Sequence, residues 1–255
     1  MIEFDERECI KAKEILAKNQ FVTSVWRNNF SPSNVIGNCT NLYRKLNPEN
    51  CEDFFKKYLE YAKTHKDLPI NERGLTEEEL VETAKSYYEK CNPYGFNTFL
   101  YDMICHIIVE TYNGQQMESQ FIKYLERFGY SCTKFDGAVD AKYGLDIKVS
   151  NEKNNNQKPF AVQIKPISFF ISNRMDVERD RIRACYKYED AKNELDIITY
   201  YAIYNRNKAN GEITWLKNNA GFSFKINELF QYDKNNIEGT FKRYTLTSNF
   251  EKLNI

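Results

Sequence analysis

Two short segments near the middle of the chain alternate between apolar and polar residues, and a polar loop joins them. Residues 144–150 and 160–165 each have an apolar side chain at every second position, which is typical of half-buried β-strands. Residues 151–158 between them are polar and rich in asparagine, as connections are. The pattern predicts a β-hairpin. Because sixteen residues separate Asp146 from Gln163, a hairpin symmetric about its loop places these two side chains opposite each other.

Lys165 follows Gln163 by two residues and therefore lies on the same face of the predicted strand. A carboxylate, an amide oxygen and an ammonium group would then meet at one place on a sheet. Mg²⁺ prefers oxygen ligands and needs only one or two carboxylates beside carbonyls, waters and a substrate phosphate, and a nearby lysine neutralises charge on the phosphate. The pattern is that of a metal-dependent phosphodiesterase, although an ordinary hairpin with a solvated polar face has the same appearance.

Glu118 is a further candidate, on a predicted helix that precedes the hairpin. Met117, Phe121 and Leu125 recur at helical spacing, so Glu118 is one position away from the apolar face and near the helix start. A carboxylate there could assist a metal ion. It could equally be a solvated or capping glutamate in the first turn, which the helix dipole favours.

Three segments resemble the MjaI-type restriction endonucleases, which belong to the PD-(D/E)xK nuclease superfamily. They are Thr-Tyr-Asn-Gly-Gln-Gln-Met-Glu-Ser-Gln-Phe-Ile at 111–122, Lys-Tyr-Gly-Leu-Asp-Ile at 142–147 and Val-Gln-Ile-Lys-Pro-Ile-Ser-Phe at 162–169. Residues 33–37 and 54–59 are similar to the same family in order and spacing. The resemblance covers most of residues 30–170 and fades beyond them. It implies a Mg²⁺-dependent, sequence-specific endonuclease of double-stranded DNA.

The resemblance also implies roles for individual residues. Asp146 would be the main metal ligand and catalytic carboxylate, Gln163 and Ile164 would be auxiliary ligands, and Lys165 would orient the attacking water. Glu118 is a secondary ligand. The superfamily usually has Asp or Glu where this chain has Gln163, and a neutral amide supplies one negative charge fewer. Either Glu118 supplies the missing carboxylate or catalysis runs on one Mg²⁺ ion instead of two.

The order of the predicted elements indicates an α/β (α+β) fold with a mixed central sheet flanked by helices. Helical periodicity dominates the first part of the chain, which we assign to a helical region at 1–112 that contacts DNA and packs on the core. The rest, 113–255, is assigned to a nuclease core of the PD-(D/E)xK type with C-terminal strands. The sequence predicts its helices and strands over the following ranges: helices at 8–18, 52–63, 76–91, 97–112 and 175–193, and strands at 130–134, 145–150, 160–166, 197–204 and 212–217.

Composition limits the alternatives. The 255 residues carry 36 basic and 36 acidic side chains, so any DNA contact would rely on a local cleft instead of a generally basic surface. Seven cysteines without a CxxC pair and only two histidines favour free thiols in a reducing cytoplasm and argue against zinc or a histidine-based triad. The apolar run at 99–112 contains charged residues and is too short to span a membrane.

Candidate DNA contacts follow the hairpin. Five residues there could reach phosphates or base edges, and they are Ser168, Asn173, Arg174, Arg179 and Arg183. Charges of both signs are mixed along this segment, so a solvated helix face is the competing interpretation.

Taken together, these features predict a type II restriction endonuclease that leaves 5′-phosphates. We expect a homodimer, because a palindromic target has a two-fold axis that the protein should share. The resemblance suggests a short CTAG-like target, and a cognate DNA methyltransferase as functional partner without a stable complex. Two other classes remain open: a structure-specific repair or recombination nuclease of the same fold, and a non-catalytic DNA- or protein-binding module.

Overall fold

The structure is a computed structural model, and it describes residues 2–17, 35–91, 95–151, 158–171, 175–207, 212–217, 222–225, 230–231, 242–243 and 250–253. The chain divides into two compact units, Met1–Gln116 and Met117–Ile255. The division falls inside a helix, four residues after the boundary that the sequence predicts.

The first unit is helical in its described part. Its helices are α1 (Glu6–Ala17), α2 (Cys39–Leu46), α3 (Cys51–Thr64), α4 (Ile70–Arg73), α5 (Glu77–Cys91) and α6 (Phe96–Cys105). Side-chain caps start several of them: Asn50 accepts a hydrogen bond from the Asp53 N–H. Thr76 followed three residues later by Glu79 is the sequence signature of a capping box, and the two residues exchange hydrogen bonds of 2.9 and 3.3 Å between side chain and backbone.

A single turn of π-helix, His106–Glu110, follows α6 and leads directly into α7 (Thr111–Arg127). His106 begins this turn and lies between the carboxylates of Asp102 on α6 and Glu110 on the turn. Its Nε2 is 3.7 Å from Asp102 and its Nδ1 is 3.4 Å from Glu110. Burial lowers the pKa of His106, but these two carboxylates outweigh it and the net shift is upward. The histidine therefore serves an ion-pair cluster in the helical unit.

Aromatic and branched side chains fill the core of the first unit. They come from α3, α5, α6 and the π-turn, and include Phe54, Phe55, Tyr58, Leu80, Tyr87, Phe99, Ile104 and Ile107. The ring of Tyr87 meets that of Phe99 edge to face at 4.7 Å, a favoured arrangement of aromatic pairs. The helical periodicity of this half of the sequence is therefore explained by burial against its own core.

The second unit is built on a mixed sheet. Its strands are β1 (Ser131–Lys134), β2 (Ile147–Ser150), β3 (Phe160–Pro166), β4 (Ile198–Arg206), β5 (Ile213–Leu216), β6 (Phe224–Lys225), β7 (Phe230–Gln231), β8 (Lys242–Arg243) and β9 (Phe250–Glu251). In the described residues, seven strands form one sheet in the order β1-β2-β3-β4-β5-β9, with β6 on β4, and β7 pairs with β8 separately. Among the described strands, only β3 and β4 run parallel, and α10 (Met175–Leu195) lies between them in the chain, as a parallel pair requires a crossover.

Helices cover both faces of this sheet. Met117, Phe121 and Leu125 of α7 pack on Ile147 and Val162. On the opposite face, α8 (Gly137–Tyr143), α9 (Ile167–Ile171) and α10 supply the packing side chains, among them Tyr143, Phe170, Cys185 and Ala191. Burial of both faces explains the apolar runs in β3 and β4. The predicted α/β (α+β) class with a mixed sheet and flanking helices is confirmed.

The sequence predictions fail mainly at short helices. The sequence predicts no helix between 63 and 76 and indicates a surface loop at 64–74, but this segment contains α4, and no helix was predicted at α2, α8 or α9. In α8 the local signal is the cap: the Asp136 carboxylate accepts hydrogen bonds of 2.9 Å from the Ala138 and Val139 N–H groups. The sequence Asn-Pro-Tyr-Gly at 92–95 predicts a break between helices, and Gly95 lies directly before α6, whereas 92–94 and the turn predicted at 209–211 lie outside the described residues.

Six cysteines of the described chain, Cys9, Cys39, Cys51, Cys105, Cys132 and Cys185, are free thiols, as the sequence predicts. No helix in the described ranges has both the length and the apolar character needed to cross a membrane.

Candidate active site

The predicted hairpin is present and its register is defined. Strands β2 and β3 pair antiparallel, with Ile147 opposite Val162, Lys148 opposite Ala161 and Val149 opposite Phe160. One further step in this register takes the chain to Asp146 on one strand and Gln163 on the other. The backbone thus brings Asp146 to the position across from Gln163, as the symmetric-hairpin argument predicts.

Asp146 is tied to β3 by a hydrogen bond. The backbone N–H of Ile164 donates to Asp146 Oδ2 at 2.6 Å. The pKa of Asp146 is raised to about 7, chiefly by burial and also by the Glu118 and Asp140 carboxylates. The Lys165 ammonium and the Ile164 N–H act in the opposite direction. Near neutral pH the carboxyl group is therefore balanced between its two protonation states. A cation at this place would favour the ionised form.

Gln163 is buried, with 6 % of its surface exposed, and its carboxamide lies against the backbone of Gly144. A Cβ atom added to Gly144 would be 2.8 Å from Gln163 Nε2 and 3.3 Å from the Lys187 side chain. Gly144 also has a φ of +66°, a conformation that side chains other than glycine adopt only with strain. Gly144 therefore makes room for the amide that the sequence places in the middle of the motif.

Lys165 lies two residues beyond Gln163 on β3 and is half-buried. Its positive charge lowers the pKa of Asp146, which shows that the two groups are within electrostatic reach of each other. The Lys165 Nζ is 5.9 Å from the centre of the Phe169 ring, at the outer limit of a cation–π contact.

Glu118 lies about two turns into α7, and its side chain is only 13 % exposed. The interpretation of Glu118 as a solvated or first-turn capping residue is therefore wrong. Its carboxylate forms an ion pair of 2.8 Å with the Lys134 ammonium, and its charge raises the pKa of Asp146. The helix thus brings a second carboxylate within electrostatic reach of the hairpin.

Three residues near this site were not identified from the sequence. Lys134 pairs with Glu118, Asp140 acts electrostatically on Asp146, and Gly144 accommodates Gln163. Asp140 and Gly144 lie in or next to the unpredicted helix α8. For Gly144 the sequence offered a signal, because a glycine directly before the Leu-Asp of the motif is the residue type that ends a helix in the left-handed conformation. Lys134 had none, since its proximity to Glu118 arises from tertiary packing.

The structure describes the side chains of only some of the five candidate DNA-contacting residues. Ser168 is exposed on α9, and Arg183 is exposed on α10, where its Nη1 is 3.6 Å from Asp180. Asn173 and Arg174 lie outside the described residues. Arg179 belongs to α10, but its side chain is also outside the described part. A fourth arginine of this segment, Arg181, is 3 % exposed and donates to the Phe169 carbonyl at 2.9 Å, so it supports the turn after Lys165.

The donor chemistry around Asp146 fits Mg²⁺. Two carboxylates, one amide and the backbone of Ile164 offer oxygen ligands, and the pKa of Asp146 is raised first by burial and then by the Glu118 and Asp140 carboxylates. Across the described residues, no group of three or more His, Cys, Asp or Glu side chains is arranged to hold a metal ion. The predicted set contains only two such side chains, so this finding does not bear on it.

Comparisons with family models, with curated proteins and with solved structures found no match to this chain.

Proposed function

We propose that the chain is a Mg²⁺-dependent type II restriction endonuclease with a PD-(D/E)xK core, which hydrolyses phosphodiester bonds of double-stranded DNA. The observation that carries the proposal is the hairpin. The Ile147–Val162 pair and the hydrogen bond from the Ile164 N–H bring Asp146 close to the Gln163–Lys165 part of β3. A carboxylate, an amide and an ammonium group are of the kinds that metal-dependent phosphodiester hydrolysis uses.

The topology around the hairpin supports the same conclusion. Helix α7 precedes three antiparallel strands, and α10 then leads to β4, which runs parallel to β3. The order of helix, strands, helix and strand is the one expected for this nuclease architecture. Glu118 on the preceding helix occupies the place where nucleases of this superfamily often have a metal-associated glutamate.

In this proposal Asp146, the Gln163 amide oxygen and the Ile164 carbonyl would hold the ion, and Glu118 is the candidate for a further carboxylate ligand. A bound Mg²⁺ polarises the phosphoryl oxygen and lowers the pKa of a water molecule. Lys165 orients the attacking water and neutralises charge that develops on the phosphate. The hydrogen bond from the Ile164 N–H fixes one oxygen of Asp146. Cleavage leaves a 5′-phosphate.

The remaining parts of the proposal concern recognition. A homodimer would match a palindromic site of a few base pairs, with a CTAG-like sequence as the first one to test. Ser168 and Arg183, both exposed after the hairpin, are candidates for phosphate or base contacts. A DNA methyltransferase of the same specificity would protect the host, and the endonuclease would act in the cytoplasm.

Two substitutions test the catalytic assignment. We expect Asp146→Ala and Lys165→Ala to lower DNA cleavage at least about a thousandfold, since each removes a group that acts in the transition state. DNA binding, measured by gel shift in Ca²⁺, should survive because recognition uses other contacts. Lys148→Ala is the matched control, because Lys148 is an exposed lysine of the same hairpin. This variant should cleave DNA as fast as the unmodified protein.

Other outcomes separate the alternatives. Nicking of branched DNA without sequence preference would indicate a repair or recombination nuclease. DNA binding without cleavage in the unmodified protein, whatever the metal, would indicate a non-catalytic module. Loss of binding together with cleavage in both variants would show that the hairpin has a structural role only.

A further inference from the structure

We propose that Lys134 takes the place of a second metal ion, so that the site works with one divalent cation. This inference rests on the proposed metal-dependent function and decides a question that the sequence leaves open: whether Glu118 serves as a metal ligand or the centre holds a single ion.

The position of Lys134 is the first observation. Lys134 ends β1 and lies opposite Ile147, the residue that follows Asp146. The next residue, Phe135, donates its N–H to the Asp146 carbonyl at 3.2 Å. The backbone next to the end of β1 is therefore hydrogen-bonded to Asp146 itself, and Lys134 directly precedes the residue that makes this bond.

The second observation is the contact of its ammonium group. Lys134 Nζ is 2.8 Å from Glu118 Oε2, and the two side chains are 23 % and 13 % exposed. Because both are largely withdrawn from water, this pair is screened less than a surface salt bridge. A metal ion that used Glu118 as a ligand would have to displace an ammonium group that already contacts the carboxylate.

The charges nearby are the third observation. With Asp146 ionised, as a metal ligand must be, Asp146 and Glu118 supply two negative charges, and Lys165 and Lys134 supply two positive charges. Asp140 and Lys187 add one of each sign, and Gln163 is neutral where a carboxylate would add another negative charge. One divalent ion together with a substrate phosphate is compatible with this balance. A second divalent ion would add two positive charges beside Lys134 without a carboxylate to accept them.

Lys134 is thus a positioning residue: it fixes Glu118 and thereby limits the number of ions. The test counts Mn²⁺ ions bound per chain, by electron paramagnetic resonance of free Mn²⁺ and by calorimetry, in the absence of DNA. We expect one ion for the unmodified protein and for Lys134→Arg, which keeps the cation. Lys134→Gln should bind two, because it releases Glu118. The double variant Glu118→Gln/Lys134→Gln should return to one. Lys148→Gln, which removes an exposed lysine from the neighbouring strand, should stay at one.

Each result has a defined meaning. Two ions in the unmodified protein would overturn the inference without any variant, which keeps it testable even if Lys134→Gln fails to fold. One ion in both the unmodified protein and a folded Lys134→Gln would also overturn it, while the proposed nuclease function would stand. A second ion that persists in the double variant would show that Glu118 is not the released ligand. If the unmodified protein bound no Mn²⁺ and cut no DNA, the proposed function would fail and the inference with it.

Discussion

Among the individual residues, Asp146 is both the main candidate metal ligand and a group whose ionised form opposes folding. The residue is half-buried and within electrostatic reach of two other carboxylates, and its pKa of about 7 in the folded state is well above the value of about 4 expected in an unfolded chain. The folded protein therefore binds this proton more tightly than the unfolded chain does. This contribution favours folding below pH 4 and is lost as the pH rises through about 7.

Removal of the negative charge of Asp146 should therefore stabilise the protein at a pH where this carboxyl group is ionised. We expect Asp146→Asn to raise the free energy of unfolding at pH 8 by on the order of 1–3 kcal/mol, since the amide keeps an acceptor for the Ile164 N–H and carries no charge. Urea unfolding at pH 5 and pH 8 checks this, with a difference between variant and unmodified protein that grows with pH. Asp180→Asn, on the exposed face of α10, serves as control. A loss of stability at pH 8 would mean that the folded protein stabilises the ionised form of Asp146, so that its pKa is not raised.

Metal binding should compete with the same proton. Because the pKa of Asp146 is about 7 without metal and a ligand carboxylate must be ionised, the apparent affinity for Mg²⁺ should rise as the pH increases through about 7. The increase should approach tenfold per pH unit below that value. Titrations of Mg²⁺ at pH 6, 7 and 8, followed by the shift in melting temperature, measure it. An affinity independent of pH over this range would separate Asp146 from the metal site.

The site residues differ in how visible they are from the sequence. Asp146, Gln163 and Lys165 follow from the alternation of a hairpin, because side chains two residues apart share a face. Glu118 was visible as a candidate, but its burial and its partner were not. The contact between Glu118 and Lys134 joins a helix to a strand, and no spacing in the sequence encodes it.

At the scale of elements, the junction between α8 and β2 determines the shape of the site. Gly144 ends α8 in the left-handed conformation, and its N–H donates to the Asp140 carbonyl at 2.7 Å. Two residues later the chain reaches Asp146, and the Gln163 amide packs on the glycine itself. The backbone conformation at this junction therefore sets both the direction of β2 and the space for the amide.

A methyl group at this junction should disturb both. We expect Gly144→Ala to lower the free energy of unfolding by about 1–2 kcal/mol from the positive φ and to weaken Mg²⁺ binding, because Gln163 must move. Thermal melts with and without Mg²⁺ separate the two effects. The matched control is Gly114→Ala on α7, where no atom lies within 4 Å of the added Cβ and the helix should gain stability. Unchanged Mg²⁺ binding in Gly144→Ala would show that the position of Gln163 does not matter for the ion.

Element prediction from the sequence succeeds for strands and fails for short helices. The five long strands of the sheet were predicted within two residues of their ends, since alternation and burial reinforce each other. Helices of four to eight residues, such as α4, α8 and α9, contain too few turns to show a periodic face. Their positions depend on caps and on packing with distant residues.

At the scale of the whole molecule, the fold consists of a helical unit and an α/β unit, and the candidate site lies entirely in the second. The sequence boundary after residue 112 follows from the change of periodicity from 3.6 to 2, and the contacts of the fold divide the chain after Gln116. With 36 positive and 36 negative side chains, DNA binding would depend on local clusters of cations. Salt should therefore weaken binding in proportion to the number of phosphates contacted.

The most direct test of the proposed function is cleavage of unmethylated phage DNA by the purified protein, with Mg²⁺ and with EDTA, next to Asp146→Ala. The account predicts discrete fragments that require Mg²⁺, share one sequence at their ends, carry 5′-phosphates and are absent with the variant. Intact DNA across Mg²⁺, Mn²⁺ and Co²⁺, or fragments that Asp146→Ala produces equally well, would contradict it.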